Sequence, residues 1–309
     1  MDLKRKNRLI TTGALLILLI AATVIFGAKV LLLALVAIIT AVLLELANAR
    51  IRKEPLDLSS VFITPLIVTL MFTPNIIHHF WIVALSTAFG LFFAKFIFGG
   101  QDKNVFNPAA VALIFAALSF PVLVGQFVNP ETLAVSAVTP ATLLKTDPAA
   151  FFGQYTLSDL LLGGYSGALG TTFKLGILAL GLILIALKVI NWRLPLFYLL
   201  SYFAIAGILY LIDPSFFRNP IYSLFVGHLL FAAFFMATDP QTAPLEQKGI
   251  IIYAVGLGFV TYIIQRFSSN TEGAIYALVF MNALVGLIDA WTMKKEETSV
   301  EEVNYETNI

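Results

Sequence analysis

The sequence predicts an all-α polytopic membrane protein with about ten transmembrane helices arranged as two inverted five-helix repeats. Three observations carry this. Apolar residues make up 59% of the 309 and charged residues only 12%, about half of what a soluble domain uses to clothe its surface. Apolar runs of roughly 20 residues, the length that crosses a hydrocarbon core, recur between polar or Pro/Gly interruptions. Two stretches also repeat at one spacing of 165 residues. Met71-Phe72-Thr73-Pro74-Asn75 matches Met236-Ala237-Thr238-Asp239-Pro240, and Pro108–Phe115 matches Gly273–Phe280.

Taken in order, the runs place spans near Leu9–Phe26, Lys29–Leu46, Ser60–Phe72, Phe80–Phe98 and Asn107–Gly125. A second set follows near Thr172–Ile190, Pro195–Ile212, Ile221–Ala237, Ile250–Phe267 and Gly273–Trp291. The first run has the basic flank of a signal peptide, yet no small-residue cleavage site is clear and another span follows at once. It reads as a retained helix. Five spans is an odd number, so the second half enters the membrane upside down relative to the first, and such folds bind where short or broken helices meet. The expected organisation is a first repeat over 1–125, an extracytoplasmic loop over 126–171, a second repeat over 172–292 and an acidic cytoplasmic tail over 293–309. Fourteen Lys and Arg then fall on the side of the N-terminus and five on the other, which puts both termini in the cytoplasm of a cell (inner) membrane protein. Trp81, Trp192 and Trp291 sit at span ends, as interfacial anchors do.

The same composition disfavours several classes. A net charge of +1 without a basic domain argues against nucleic acid as a partner. With no cysteine, thiolate metal sites and thiol redox chemistry are excluded. No HExxH, paired-carboxylate or Ser–His–Asp pattern is evident, so no catalytic or metal residue is assigned. The lipid bilayer is the one partner that composition itself names.

Four polar strings interrupt the apolar pattern. Val135 to Thr142 contains Ser136, Thr139 and Pro140, and by itself it is a Ser/Thr-rich turn. Gly163-Gly164-Tyr165-Ser166-Gly167-Ala168-Leu169-Gly170 precedes the sixth span. Its glycines either let backbone approach a phosphate at a helix start or serve close helix packing, and the two readings stand level. Thr238, Asp239 and Thr242 lie in Ala237 to Pro244, where two prolines break a helix. That arrangement is tolerated at membrane depth only in a protein-lined or watery cavity, with an Asx-type cap as the plainer alternative. Asn107 opens the fifth span as an N-cap followed by Pro108. Glu45, Asp289 and His228 are ionisable residues near membrane depth. The first two lie close enough to span ends to reach water, and His228 reads as a packing histidine.

Phe106-Asn107-Pro108-Ala109, Ser136-Ala137-Val138-Thr139-Pro140, the glycine string and Phe235 to Pro244 together resemble the RnfD/NqrB family, as does the span from Glu272 to Asp289. The resemblance covers roughly residues 55–292 and is most specific at Thr238-Asp239-Pro240-Gln241-Thr242-Ala243-Pro244. It is closer to RnfD, because the longer N-terminal extension of NqrB is missing. It implies the membrane subunit of an ion-translocating electron transport complex, with FMN joined through its phosphate to Thr139 by a separate flavin transferase. The family string there is Ser-Gly-Ala-Thr, so Ala137 and Val138 depart from it. The family glycine string continues with Gly-Glu, whereas Gly170 is followed by Thr171.

On this resemblance Thr139 carries covalent FMN, with Ser136, Pro140, Asn107, Gly163, Gly167 and Gly170 as cofactor contacts. A second flavin such as riboflavin is expected beside Thr238, Asp239 and Thr242. Partners are the other membrane and peripheral subunits of an Rnf-like complex (ferredoxin:NAD oxidoreductase), with Na⁺ or H⁺ as the ion moved. The chain reads as one part of an oxidoreductase complex rather than a complete enzyme. Two alternatives remain: a secondary transporter or channel of the same inverted architecture without redox activity, and a scaffold that has lost its cofactor.

Overall fold

The computed structural model describes residues 2–293 apart from 101, 215, 217 and 269–271. The acidic tail expected over 293–309 therefore lies, from residue 294 on, outside the described residues. Helices α1 (Leu3–Phe26) and α2 (Lys29–Arg52) are followed by a short α3 (Leu58–Val61) and α4 (Ile63–Met71). Next come α5 (Phe80–Leu91), which runs into a π-helical turn at Phe92–Phe96, then α6 (Pro108–Ser119) and α7 (Pro121–Val124). A two-stranded hairpin, β1 (Phe127–Val128) with β2 (Val135–Ser136), leads to α8 (Pro140–Thr146), α9 (Pro148–Gln154) and α10 (Leu157–Leu162). The second set is α11 (Lys174–Ala186), α12 (Arg193–Ile212), α13 (Pro220–Phe225), α14 (Leu229–Phe231) with a π-helical turn at Ala232–Met236, α15 (Gln247–Phe267) and α16 (Gly273–Thr292).

Among the described residues, six helices are long and apolar enough to cross a membrane: α1, α2, Pro74–Phe96, α12, α15 and α16. The expected third, fifth, sixth and eighth spans are shorter or broken. Pro121 interrupts the fifth after Ser119. The eighth breaks at Val226–His228, where Gly227 takes the left-handed φ of +63°. Outward-facing residues such as Ile17, Ile20, Val24 and Leu43 are exposed apolar side chains, which lipid rather than water can cover. The chain is a multi-pass membrane protein.

The spacing of 165 residues governs the whole element order. Helix starts at Lys29, Ile63, Phe80 and Pro108 recur at Arg193, Leu229, Gln247 and Gly273, each within two residues of that offset. Side-chain contacts show that the halves run oppositely. Near one face, Arg8 bonds Asp57 and Asp102, and Arg52 donates to the Phe96 carbonyl at 2.7 Å. On this Arg8 face α6 begins, with Asn107 at the Met236 carbonyl, and α16 ends, with Asp289 accepting from Leu245 N–H at 3.0 Å. At the opposite face α4 ends and α16 begins, and there the 126–172 segment folds. It is called the loop face below.

One ion pair lies deep in the first half. Glu45 on α2 and Lys95 in the π-helical turn are each 5% exposed and bonded to each other. The expectation that Glu45 reaches water is thus corrected: the π turn swings Lys95 inward, and the two charges solvate each other in place of water.

Candidate functional site

Building the site starts from α4. Its helix ends in the protein interior, at Phe72, leaving carbonyls in need of donors. The glycine string supplies them: Gly170 N–H donates to Leu70 O at 2.6 Å and Leu169 N–H to Phe72 O at 3.0 Å. A Cβ on Gly170 would stand 2.6 Å from the Leu70 side chain, so glycine is required by this approach. Gly163 ends α10 in the left-handed region, at φ +95°, and Gly167 packs against Thr172. Of the two level readings of this string, close packing is the one its backbone groups are used for.

Thr139 caps α8. Its Oγ1 accepts Thr142 N–H at 3.2 Å and lies 3.1 Å from Thr142 Oγ1, with Pro140 in the first helical position. Ser136, at the end of the hairpin, accepts Val138 N–H at 2.9 Å. Ala137 and Thr142, on either side of Thr139, line a cavity of about 420 Å³, while Thr139 itself is not among its lining residues. Its walls come from both halves: Met71 to Thr73 at the α4 end, Ala116 and Ala117 on α6, His228 at the helix break, Glu272 and Tyr276 at the start of α16, and Ala137 and Thr142 from the loop-face segment. At the far end of α8, Lys145 donates to the Ser268 carbonyl. Burial, and then the charges of Arg218 and Arg266, hold its amine below the usual lysine pKa.

The ionisable side chains of His228 and Glu272 line this cavity, and Lys174 lies behind them. Lys174, fully buried on α11, donates to the Gly227 carbonyl freed by the break. Glu272 Oε2 accepts His228 N–H at 3.0 Å and lies 2.8 Å from His228 Nδ1. Gly227 makes room for it, since a Cβ there would meet that carboxylate at 2.9 Å.

The Arg8 face carries the corresponding arrangement, with polar side chains bonded across it. Asn107 caps α6 through Ala110 N–H at 3.1 Å and donates to Met236 O at 3.3 Å. Asn282 accepts Asn107 N–H at 3.0 Å and donates to Thr242 O at 3.0 Å and Tyr253 Oη at 2.7 Å. The 165-residue offset pairs Asn107 with Glu272 and Ala117 with Asn282. Where the Arg8 face has a buried asparagine tied to a tyrosine, the loop face has a methyl group, and the cavity lies there. Thr238 turns back onto Phe234 O at 2.7 Å, and Asp239 accepts Gln241 N–H at 3.1 Å as an Asx turn.

The structure therefore gathers Ser136, Thr139 and Pro140 at one site and Asn107 with Thr242 at another. Gly163, Gly167 and Gly170 brace the first from behind. Glu272, Lys174 and Ala117 were missed as site residues. The signal that finds two of them is the repeat offset, applied to Asn107 and Asn282.

Fold and cavity define a class: a polytopic inverted-repeat membrane protein whose site opens between its halves on one face. Among known proteins, the family model for NQR2, RnfD and RnfE matches residues 2–297, and the chain belongs to that family. It is 30% identical over 315 residues to the D subunit of the ion-translocating oxidoreductase complex of Aeromonas salmonicida (strain A449), covering 90% of this chain and 89% of that one. It is 33% identical over 288 residues to the D subunit of the Na(+)-translocating ferredoxin:NAD(+) oxidoreductase complex of Acetobacterium woodii, covering 91% and 87%.

Proposed function

We propose that this chain is the RnfD-type membrane component of an ion-translocating electron transport complex, and that it carries FMN on Thr139 with the flavin ring in the loop-face cavity. Electron transport rests on the names of its relatives, which are subunits of such complexes. The flavin reading rests on one observation: the threonine that matches the family's attachment site caps a helix between Ala137 and Thr142, two residues that line the 420 Å³ cavity. The residues fit the group. A phosphoester oxygen on Thr139 still accepts Thr142 N–H, and the start of α8 adds a favourable dipole for phosphate. When bound, FMN supplies one-electron chemistry that no side chain of this cysteine-free protein can.

The chain's own residues position and insulate that chemistry. Met71, Phe72 and Ile275 keep water from the cavity walls, while α4 is held in place by the glycine string. Thr139 is only 6% exposed, so a flavin transferase reaches it before α8 docks, and attachment accompanies folding of the loop-face segment. Asn107 and Asn282 bond each other and the Met236 and Thr242 carbonyls and are read as a lock between halves; the buried Thr242 hydroxyl is left without a partner, and no step is routed through a second flavin there.

Two expected results follow from this placement. Ala117→Phe puts a ring into the cavity. FMN remains attached to Thr139 in this variant, but its absorption band takes the broad, featureless form of a flavin in water; an unchanged spectrum refutes the cavity assignment. The Lys and Arg bias puts the Arg8 face in the cytoplasm, which the absence of native cysteine makes simple to test. Leu133→Cys, 75% exposed, is labelled by a membrane-impermeant maleimide on intact cells, and Leu245→Cys, 69% exposed, only after permeabilisation. The reverse pattern overturns the orientation. The identity of the attached group is read by intact-mass measurement and peptide mapping of 126–171.

A further inference from the structure

We infer that His228, held by the Glu272 carboxylate, is the group that takes up a proton when negative charge is added to the loop-face cavity. The inference rests on the flavin reading above. An electron placed in a site of low dielectric is costly unless a positive charge arrives with it. Of the side chains lining the cavity, three titrate: His228, Glu272 and Tyr276. Imidazole alone among these types has its ordinary pKa between 5 and 8.

The geometry commits the ring to that role. His228 stands at the break of the eighth span and is 6% exposed. Its Nδ1 lies 2.8 Å from Glu272 Oε2, so a proton gained by the ring is paired at once with that carboxylate. Its backbone N–H bonds the same carboxylate oxygen at 3.0 Å, which fixes the residue against the start of α16. The other charged and titratable groups around the pair are engaged elsewhere. Lys174 on α11 holds the Gly227 carbonyl, Arg218 donates to Gln265 O at 3.1 Å, Tyr165 to Thr172 O at 3.1 Å and Tyr202 to Gln265 Oε1 at 2.7 Å. Glu272 feels Lys174, Arg218, Tyr165 and Tyr202 electrostatically as well as His228.

The step balances simply. One electron enters the cavity from a one-electron donor of the complex, and one proton passes from water at the loop face to the His228 ring, giving an imidazolium paired with the Glu272 carboxylate. On reoxidation the electron leaves and the proton returns to the same water.

The test is a redox titration of the purified full-length flavoprotein from pH 6 to 8, with dithionite as the donor and the flavin absorbance as the readout. One proton per electron moves the midpoint potential by about 59 mV for each tenfold change in proton activity. The wild type is expected to approach that slope, and His228→Gln to lose at least half of it. Glu272→Gln, which keeps the imidazole and the backbone bond, moves the pH at which the slope flattens downward, because the imidazolium has lost its anion. A His228→Gln slope equal to the wild type's overturns the inference; should that variant fail to fold, an unshifted Glu272→Gln profile does the same. A wild-type protein without a covalent flavin, read on a denaturing gel, overturns the attachment reading and this one with it, and is thereby told apart from a failure of His228 alone.

Discussion

Thr139→Ala is expected to abolish the fluorescent flavin band of the denatured protein completely while leaving the fold intact. The effect on flavin is all-or-none because a methyl group has no oxygen to esterify, and the neighbouring hydroxyls are differently placed. Ser136 lies on the hairpin, where its Oγ accepts Val138 N–H, and Thr142 is inside the first turn of α8. The structural cost is that of a lost N-cap, about 1 kcal/mol, in a helix whose Ala141 and Leu144 pack in a small apolar cluster separate from the main core. The measurement is in-gel fluorescence after co-expression with a flavin transferase, with size-exclusion behaviour as the control for folding. A band that survives the substitution places the flavin elsewhere. A wild type without a band favours the transporter or channel alternative, which the inverted architecture by itself serves equally well.

The largest effect on stability is expected at the Glu45–Lys95 pair. Lys95→Met leaves a carboxylate, 5% exposed, without its cation. Removing one partner of a buried pair costs about 3–5 kcal/mol, whereas replacing both by apolar residues of similar volume is often neutral or stabilising. Lys95→Met alone should therefore lose most of the monodisperse protein in detergent. Lys95→Met combined with Glu45→Leu should recover it. Thermal unfolding of the three proteins decides the matter. A single variant as stable as the wild type shows that Glu45 takes up a proton or reaches water, and the buried pair as described is wrong. A recovered double variant separates the cost of an unpaired charge from any need for the pair itself.

Much of this protein was legible before its structure. Apolar runs, their interruptions and a single repeat offset sufficed for the membrane class and the two halves, because bilayer thickness and backbone hydrogen bonding leave few solutions for such a chain. The proposed attachment site is a string, Ser136 to Pro140, whose meaning comes from resemblance alone. As a local pattern it reads only as a turn, and the structure does make Thr139 an N-cap. The glycine string was ambiguous for a related reason. Glycine marks close approach without saying what approaches, and Leu70 and Phe72 became its partners only through folding.

Sequence alone determined that the chain is a membrane protein of two opposed, similar halves, since composition and periodicity are properties of the chain itself. Tertiary structure alone decided which charges meet and where space is left. Glu45 finds Lys95 where a π turn shifts the register of one helix, Glu272 finds His228 where Gly227 breaks another, and Ala117 offers the cavity a methyl group where the other half has Asn282. Each of these depends on residues far apart in the chain packed within a few ångströms, and local sequence carries no record of that distance.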